Sequence, residues 1–142
     1  MAPTRAEIKT LLDAWVEAVR RKDIERLMSL YAPGIVYFDV VAPLQIKGIQ
    51  AVRGNFMRWF NLWDGDIGAE IRDLHISQSG SLATALMLYR ASGRLKSGQD
   101  VDYWIRATVS CQRLEQGWRI SHEHVSLPID FSSGNALMDL AP

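Results

Sequence analysis

The segment Trp118-Arg-Ile-Ser-His-Glu-His124 carries two imidazoles two residues apart, late in a chain of 142 residues. Alternate residues of an extended strand share a face, which puts His122 and His124 with Trp118 and Ile120. Trp118 and Ile120 favour burial, so both histidines are expected to point inward. Three readings of the pair are open. They are hydrogen-bonded core residues, since buried polar groups are normally satisfied. Or they are acid–base groups, since imidazole titrates near neutral pH. Or they are metal ligands, in which case Asp39 or His75 would have to complete a set that no tight spacing supports.

Two further residues could do chemistry. Asp39 interrupts the apolar run Ile35-Val-Tyr-Phe-Asp-Val40. At a strand end it meets water. Inside a pocket, desolvation would raise its proton affinity and make it a general base. Arg106 lies between Ile105 and Ala107, where it could grip an anionic group with two parallel hydrogen bonds or pair internally with Asp102 or Glu123. A three-residue turn at Glu115-Gln116-Gly117 sets Trp118 opposite Leu114. His122 and His124 then face Ser110 and Thr108, with Arg106 and Trp104 further along. A slip of one residue would replace that polar cluster with Val109 and Ala107. Trp15, Trp59 and Trp104 are candidates to contact a ligand; core packing, together with Trp63, is their plainer reading. Cys111 reads as an inert small apolar residue.

Other chemistries lack their motifs. There is no G-x-S-x-G elbow, phosphate-binding glycine loop or H-E-x-x-H. Sixteen basic residues balance sixteen acidic ones, so the basic excess of a nucleic-acid binder is missing. A single cysteine allows neither an intrachain disulfide nor a multi-cysteine zinc site, and a reducing cytoplasm is the default compartment. No apolar run is long enough to span a bilayer, and MAPTRAEIKT lacks a signal peptide's apolar core. No cofactor or metal is implied.

The elements that must position these residues follow from periodicity. Thr4-x-x-Glu7 has the spacing of a capping box, and Ile8, Leu11, Leu12, Trp15, Ala18 and Val19 predict an amphipathic helix over 4–21. Asp23 is the expected N-cap of a short second helix with the stripe Ile24, Leu27, Met28 and Tyr31, ended by Ala32-Pro33-Gly34. Residues 35–40 are β-branched and aromatic, predicting a strand. Gly48 opens a third helical stripe of Ile49, Val52, Phe56, Trp59, Phe60 and Trp63. Four strands near 66–78, 82–94, 99–113 and 118–126 follow as an antiparallel meander, and a short helical turn is expected near 136–140. Helices before strands imply one α+β domain over 1–142, with helices on one sheet face. Leu82, Leu86 and Leu88 on one side of a strand, and Ala83, Ala85, Met87 and Tyr89 on the other, imply that the second face is also covered. A homodimer through that outer face, or the C-terminal tail, would cover it.

This order of features resembles the NTF2-like superfamily in its SnoaL-like branch, which includes ketosteroid-isomerase-type proteins. The resemblance rests on Leu12-Asp-Ala-Trp-Val-Glu-Ala-Val19 before Asp23, Tyr31-Ala-Pro-Gly-Ile-Val-Tyr-Phe-Asp39, Gly48, Asp102-x-Trp-x-Arg-x-Thr108 and Gly117-Trp-Arg-Ile-x-His-Glu-His124 with Ser126 and Pro128. It implies a cone: a curved antiparallel sheet wrapped around three N-terminal helices, with an apolar pocket. Asp39 matches the general base of ketosteroid isomerases. The oxyanion-donating tyrosine is replaced by Trp15, and the second, protonated aspartate has no counterpart, Val109 or Thr108 lying nearest. Two functions from different classes follow. One is a cofactor-independent isomerase or cyclase that uses Asp39 as base, with His122, His124 or Arg106 stabilising an enolate of a small apolar ketone or polyketide-like ring. The other is a non-catalytic ligand-binding or dimerisation module. Neither involves nucleic acid or membrane.

Overall fold

The computed structural model describes residues 3–142. Helix α1 (Pro3–Arg20) is followed by α2 (Ile24–Met28), strands β1 (Tyr31–Phe38) and β2 (Ile46–Lys47), helix α3 (Ile49–Phe60), and the long strands β3 (Gly68–Ser79), β4 (Leu82–Arg94), β5 (Asp100–Leu114) and β6 (Gly117–Ser126). One open six-stranded sheet has the order β2-β1-β6-β5-β4-β3. The meander β3 to β6 is antiparallel as expected, whereas β1 joins β6 in parallel. The sheet is therefore mixed, and the α+β class holds.

The helix stripes bury the residues their spacing selects. Ile8, Leu11, Leu12, Trp15, Ala18 and Val19 of α1 are all buried, as are Val52, Phe56 and Phe60 of α3. Asp23 caps α2 through its carboxylate, which accepts from the Arg26 amide at 3.1 Å. Thr4 lies inside α1 rather than before it, and its hydroxyl accepts from Arg113 at 3.4 Å, so it is not the expected cap. Helix α1 ends in a Schellman arrangement: Asp23 N–H reaches Ala18 O at 2.8 Å, with Lys22 at φ 55°. The free edge of β3 is covered by α1: Arg20 Nε donates to Ala69 O at 3.0 Å, and Arg5 donates to Ile76 O. Trp63 lies past the end of α3, in a bridge to Leu95, and its ring packs on Gly93. A Cβ at Gly93 would stand 3.2 Å from that ring, and the residue's φ is 146°, so only glycine fits.

Three expectations change. Residues 32–34 do not merely end a helix; they form an irregular stretch of β1, whose pairing with β6 shifts between Tyr31 and Val36. The tail forms no helical turn at 136–140. It folds into a small hairpin, with an Ile129–Ala136 bridge and the Asp130 carboxylate holding the Ser132 and Ser133 hydroxyls. The β5–β6 turn has two loop residues rather than three, so that Leu114 faces Gly117 and Arg113 faces Trp118.

That last change decides which side chains face the helices. From the turn, Cys111 faces Ile120; after a bulge at Ser121, Ser110 faces His122 and Thr108 faces His124. One extra residue restores the expected pairing of the histidines but exchanges the faces of the strand. Trp118 and Ile120 are buried before the bulge, and Glu123 and Val125 after it. His122 and His124 consequently point to the outer face.

Deleting Ser121 leaves a regular strand with Glu123 still inward. It should cost about 1–2 kcal/mol, the order of a lost hydrogen bond such as that of Ser121 Oγ to Ser110 O. Inserting one alanine after Ser121 reverses the facing of 122–126 and is expected to abolish cooperative unfolding. Urea titrations of both variants followed by circular dichroism check this; equal tolerance would show that the bulge does not set the facing.

Candidate functional site

A void of about 930 Å³ lies between the concave sheet face and the helices. Its walls are mostly apolar, from Leu12 and Trp15 on α1, Phe56 and Trp59 on α3, and Met87, Ile105, Ala107 and Val109 on the sheet. The tail hairpin borders it with Ile129, Ala136 and Met138, so the tail walls this void and leaves the outer leucines half-exposed.

Two carboxyl groups border the void. Asp39 follows the last residue of β1 and is half-buried. One of its oxygens accepts from Val40 N–H at 2.7 Å, and the other from the side-chain amide of buried Asn55 at 2.7 Å. Those two bonds fix the carboxylate plane at the mouth. Glu123 lies deeper, 3% exposed. Its Oε1 accepts from the Tyr31 hydroxyl at 2.7 Å, and the Tyr31 oxygen in turn accepts from Trp15 Nε1 at 2.8 Å.

This directed chain explains why Trp15 replaces a direct polar contact with the void: its N–H is spent on Tyr31. Burial drives the Glu123 carboxyl up to about 7, and the nearby negative charge of Asp39 pushes the same way. Hydrogen bonding by the Tyr31 and Tyr37 hydroxyls opposes the rise. Burial likewise keeps the Tyr31, Tyr37 and Tyr89 hydroxyls protonated, each held well above the usual phenol range, with Glu123 adding to the effect. The buried Cys111 thiol is pushed up to about 12, which leaves it an unreactive core group.

The structure separates the residues singled out from sequence. Asp39, Trp15 and Trp59 border the void. His122, Arg106, Thr108 and Trp104 do not, and their expected inward placement is corrected by the bulge and by strand alternation. Ile105, Ala107, Val109 and Cys111 are the buried residues of β5, leaving Trp104, Arg106 and Thr108 on the opposite face. His122 Nδ1 donates to Val36 O at 2.6 Å, and the ring packs edge-on against Phe38. His124 abuts the mouth of the void, yet it is exposed and its ring also rests on Phe38. Arg106 Nε donates to Ser126 Oγ at 3.1 Å rather than pairing with Asp102 or Glu123. Asp102 belongs to Arg90, which also holds Glu70 and stacks over Trp104. The polar cluster thus exists on the outer face. Among the described residues no three His, Cys, Asp or Glu side chains gather as metal ligands.

Glu123 and Tyr31 were the residues missed. The sequence does hold a signal for Glu123: apolar residues fall at 118 and 120 and then at 125, so the alternation changes phase between them.

A glutamic acid that stays neutral in the fold while it ionises in the unfolded chain has a definite pH signature. The folded state holds the extra proton between about 4.5 and about 7, so stability falls as pH rises through that window and levels off above it. Glu123's share is about 3 kcal/mol at about 1.4 kcal/mol per pH unit. Urea unfolding between pH 4.5 and 8 should show this decline, and Glu123→Gln, which keeps the neutral shape, should flatten it. An unchanged slope in the variant would rule out a buried neutral Glu123.

Comparison with known proteins places the fold. The SnoaL-like domain family matches residues 8–130. An NTF2-like protein of unknown function from Pseudomonas putida is 34% identical, with 98% of each chain covered and a TM-score of 0.87. A ketosteroid isomerase-like protein from Erwinia carotovora atroseptica is 17% identical, covering 89% of this chain and 97% of its own, at a TM-score of 0.76. A nuclear transport factor 2 (NTF2-like) superfamily protein from Salmonella enterica is 17% identical, covering 93% and 96%, at 0.79. The last two likenesses concern the fold. Among curated proteins none matches the chain. No helix among the described residues is long and apolar enough to cross a membrane.

Proposed function

We propose proton transfer on a small, largely apolar carbonyl compound as the function of this chain, which belongs to the SnoaL-like domain family of the NTF2-like superfamily. The observation that carries the reading is the pair of carboxyl groups on one apolar void, made unequal by their surroundings. Glu123 is dry and holds its proton near neutrality; Asp39 sits at the mouth with its oxygens oriented by two N–H donors. Pairs of acids whose environments differ in this way divide the roles of acid and base.

In this reading Asp39 takes a proton from the carbon beside the carbonyl. Protonated Glu123 delivers one to the oxygen or to a more distant carbon of the same ligand. The result is an enol or a shifted double bond, and both carboxyls return to their starting states by exchange with water. Tyr31 lies behind the wall of the void and Trp15 meets the void only with its ring; together they hold Glu123 in place and share its charge after the proton leaves. His122 and Arg106 take no part, being on the other side of the sheet, and His124 has only its exposed edge near the mouth.

The test is deuterium exchange at the carbon acid of 2-tetralone, followed by proton NMR in heavy water. Exchange should exceed the buffer rate, with Asp39→Asn and Glu123→Gln each losing about 100-fold or more of the excess, the scale of general acid–base catalysis. A full excess rate in Asp39→Asn would eliminate the mechanism.

A second reading, a dimerisation module, draws on a separate observation. Leu82 and Leu86 are 55% and 49% exposed on the outer face, which also carries Phe38 on β1 and Trp104 on β5. We propose that a second copy covers this face. Analytical ultracentrifugation at micromolar concentration should show a dimer, and Leu86→Asp should convert it to monomer with folding retained; a monomeric wild type overturns the pairing. The two readings are compatible, since they use opposite sides of the sheet.

A further inference from the structure

Three buried polar side-chain atoms have no hydrogen-bond partner among the described residues: Trp63 Nε1, Trp118 Nε1 and the Tyr89 hydroxyl. An orphaned buried donor costs about 1–3 kcal/mol, so its retention asks for a partner that comes from outside the chain. Trp118 lies away from the void, beneath the Arg113 guanidinium. Trp63 also borders the void, but its ring is held in the bridge to Leu95 and against Gly93, at the end of the cavity where α3 runs out. Tyr89 is different. It is 5% exposed, it projects from the concave face of β4, and it borders the void. Its ring is held edge-on by Trp15 at 5.0 Å between centroids, so the same indole that donates to Tyr31 also sets the direction of the Tyr89 phenol.

Its neighbours leave the hydroxyl unsatisfied. The Tyr31 oxygen already accepts from Trp15 and gives its proton to Glu123. Ile105, paired with Tyr89 across the sheet, and Met87, next on the same face, offer no oxygen. Tyr103 and Glu123 border the same void, yet neither hydrogen-bonds to the Tyr89 O–H, which faces a mostly apolar cavity large enough for a ring system. We propose that Tyr89 is the ligand-anchoring donor of this void, its hydroxyl binding the carbonyl oxygen of an apolar ketone. The choice of a carbonyl rests on the proton-transfer reading; the need for an acceptor does not. Trp15 has its N–H occupied by Tyr31, and Tyr89 supplies from β4 a donor that α1 does not. Tyr89 keeps its proton in this dry position and so acts as a donor and not as a base.

The experiment compares two ligands of one shape, 2-tetralone and the hydrocarbon tetralin, on the wild type and on Tyr89→Phe. Removing an unpartnered hydroxyl leaves the packing intact, so the variant should unfold at the same urea concentration or a higher one. Wild type is expected to bind the ketone about tenfold more tightly than the hydrocarbon, and Tyr89→Phe to erase that preference while binding tetralin unchanged. The infrared carbonyl stretch of bound 2-tetralone should lie at lower wavenumber in wild type than in the variant. A ketone preference that survives in Tyr89→Phe overturns the assignment, as does equal binding of the two ligands or binding of neither. If ketone binding depends on Tyr89 but no deuterium exchange occurs, the anchoring stands and the proton-transfer reading fails.

Discussion

A carboxyl group buried among aromatic side chains is the constraint to which the rest of this molecule answers. Burying Glu123 is tolerable only if it keeps a proton or finds donors, and both conditions are met by side chains drawn from distant parts of the chain. Tyr31 comes from the start of β1 and Trp15 from the middle of α1. The parallel pairing of β1 with β6 is what brings Tyr31 alongside, since its backbone partner is Ile120, three residues before Glu123. The irregular stretch from Ala32 to Ile35 then lets Val36 meet His122. A straight β1 could not have brought both the Tyr31 and the Tyr37 hydroxyls to the acid, since Tyr37 meets Glu123 only after the shift.

Much of the fold was legible because it depends on periodicity. Ile8 to Val19 and Val52 to Phe60 announce their buried faces at helical spacing, and the glycines at 80, 98 and 117 mark the meander's turns. What periodicity could not supply was the count of residues in each strand. Trp118 and Ile120 mark the inner face of β6 only as far as the bulge, and every residue after Ser121 faces opposite to what an unbroken alternation from them predicts. The pairing partners of His122 and His124 were nonetheless right, because a turn one residue shorter and a bulge one residue longer cancel. Register and facing are therefore separate facts in a bulged strand, and a correct partner does not guarantee a correct face.

The site was half legible for the same reason. Asp39 stands out as a charge within an apolar run whatever the register. Glu123 is flanked by two histidines, which drew attention to themselves because imidazole titrates at neutral pH. The environment reverses that ranking: a carboxyl in a dry site is moved to about 7, while the histidines sit on the wet face. Residue type sets where a titration starts, and burial sets where it ends.

The distribution of charge follows the same division and bears on what the void can admit. Arg90, Arg94 and Arg106 lie on the outer side of the sheet, where Arg90 pairs with Asp102 and Glu70 and Arg94 with Asp100; Arg113, on the Trp118 face, reaches Thr4 of α1 and does not border the void. Such exposed pairs add little stability each. Their effect is exclusion: the cations are retained on the far side of the strands. Among the described residues that border the void, Arg58 is the sole cation and is exposed, while Asp39 and Glu123 are both acids. An anionic ligand would meet negative charge in an apolar cavity without a counter-charge inside it. A cationic one would ionise Glu123 and remove the proton that the acid role requires. A neutral ligand carrying a single acceptor oxygen is the one whose arrival leaves both carboxyl groups as the fold prepares them.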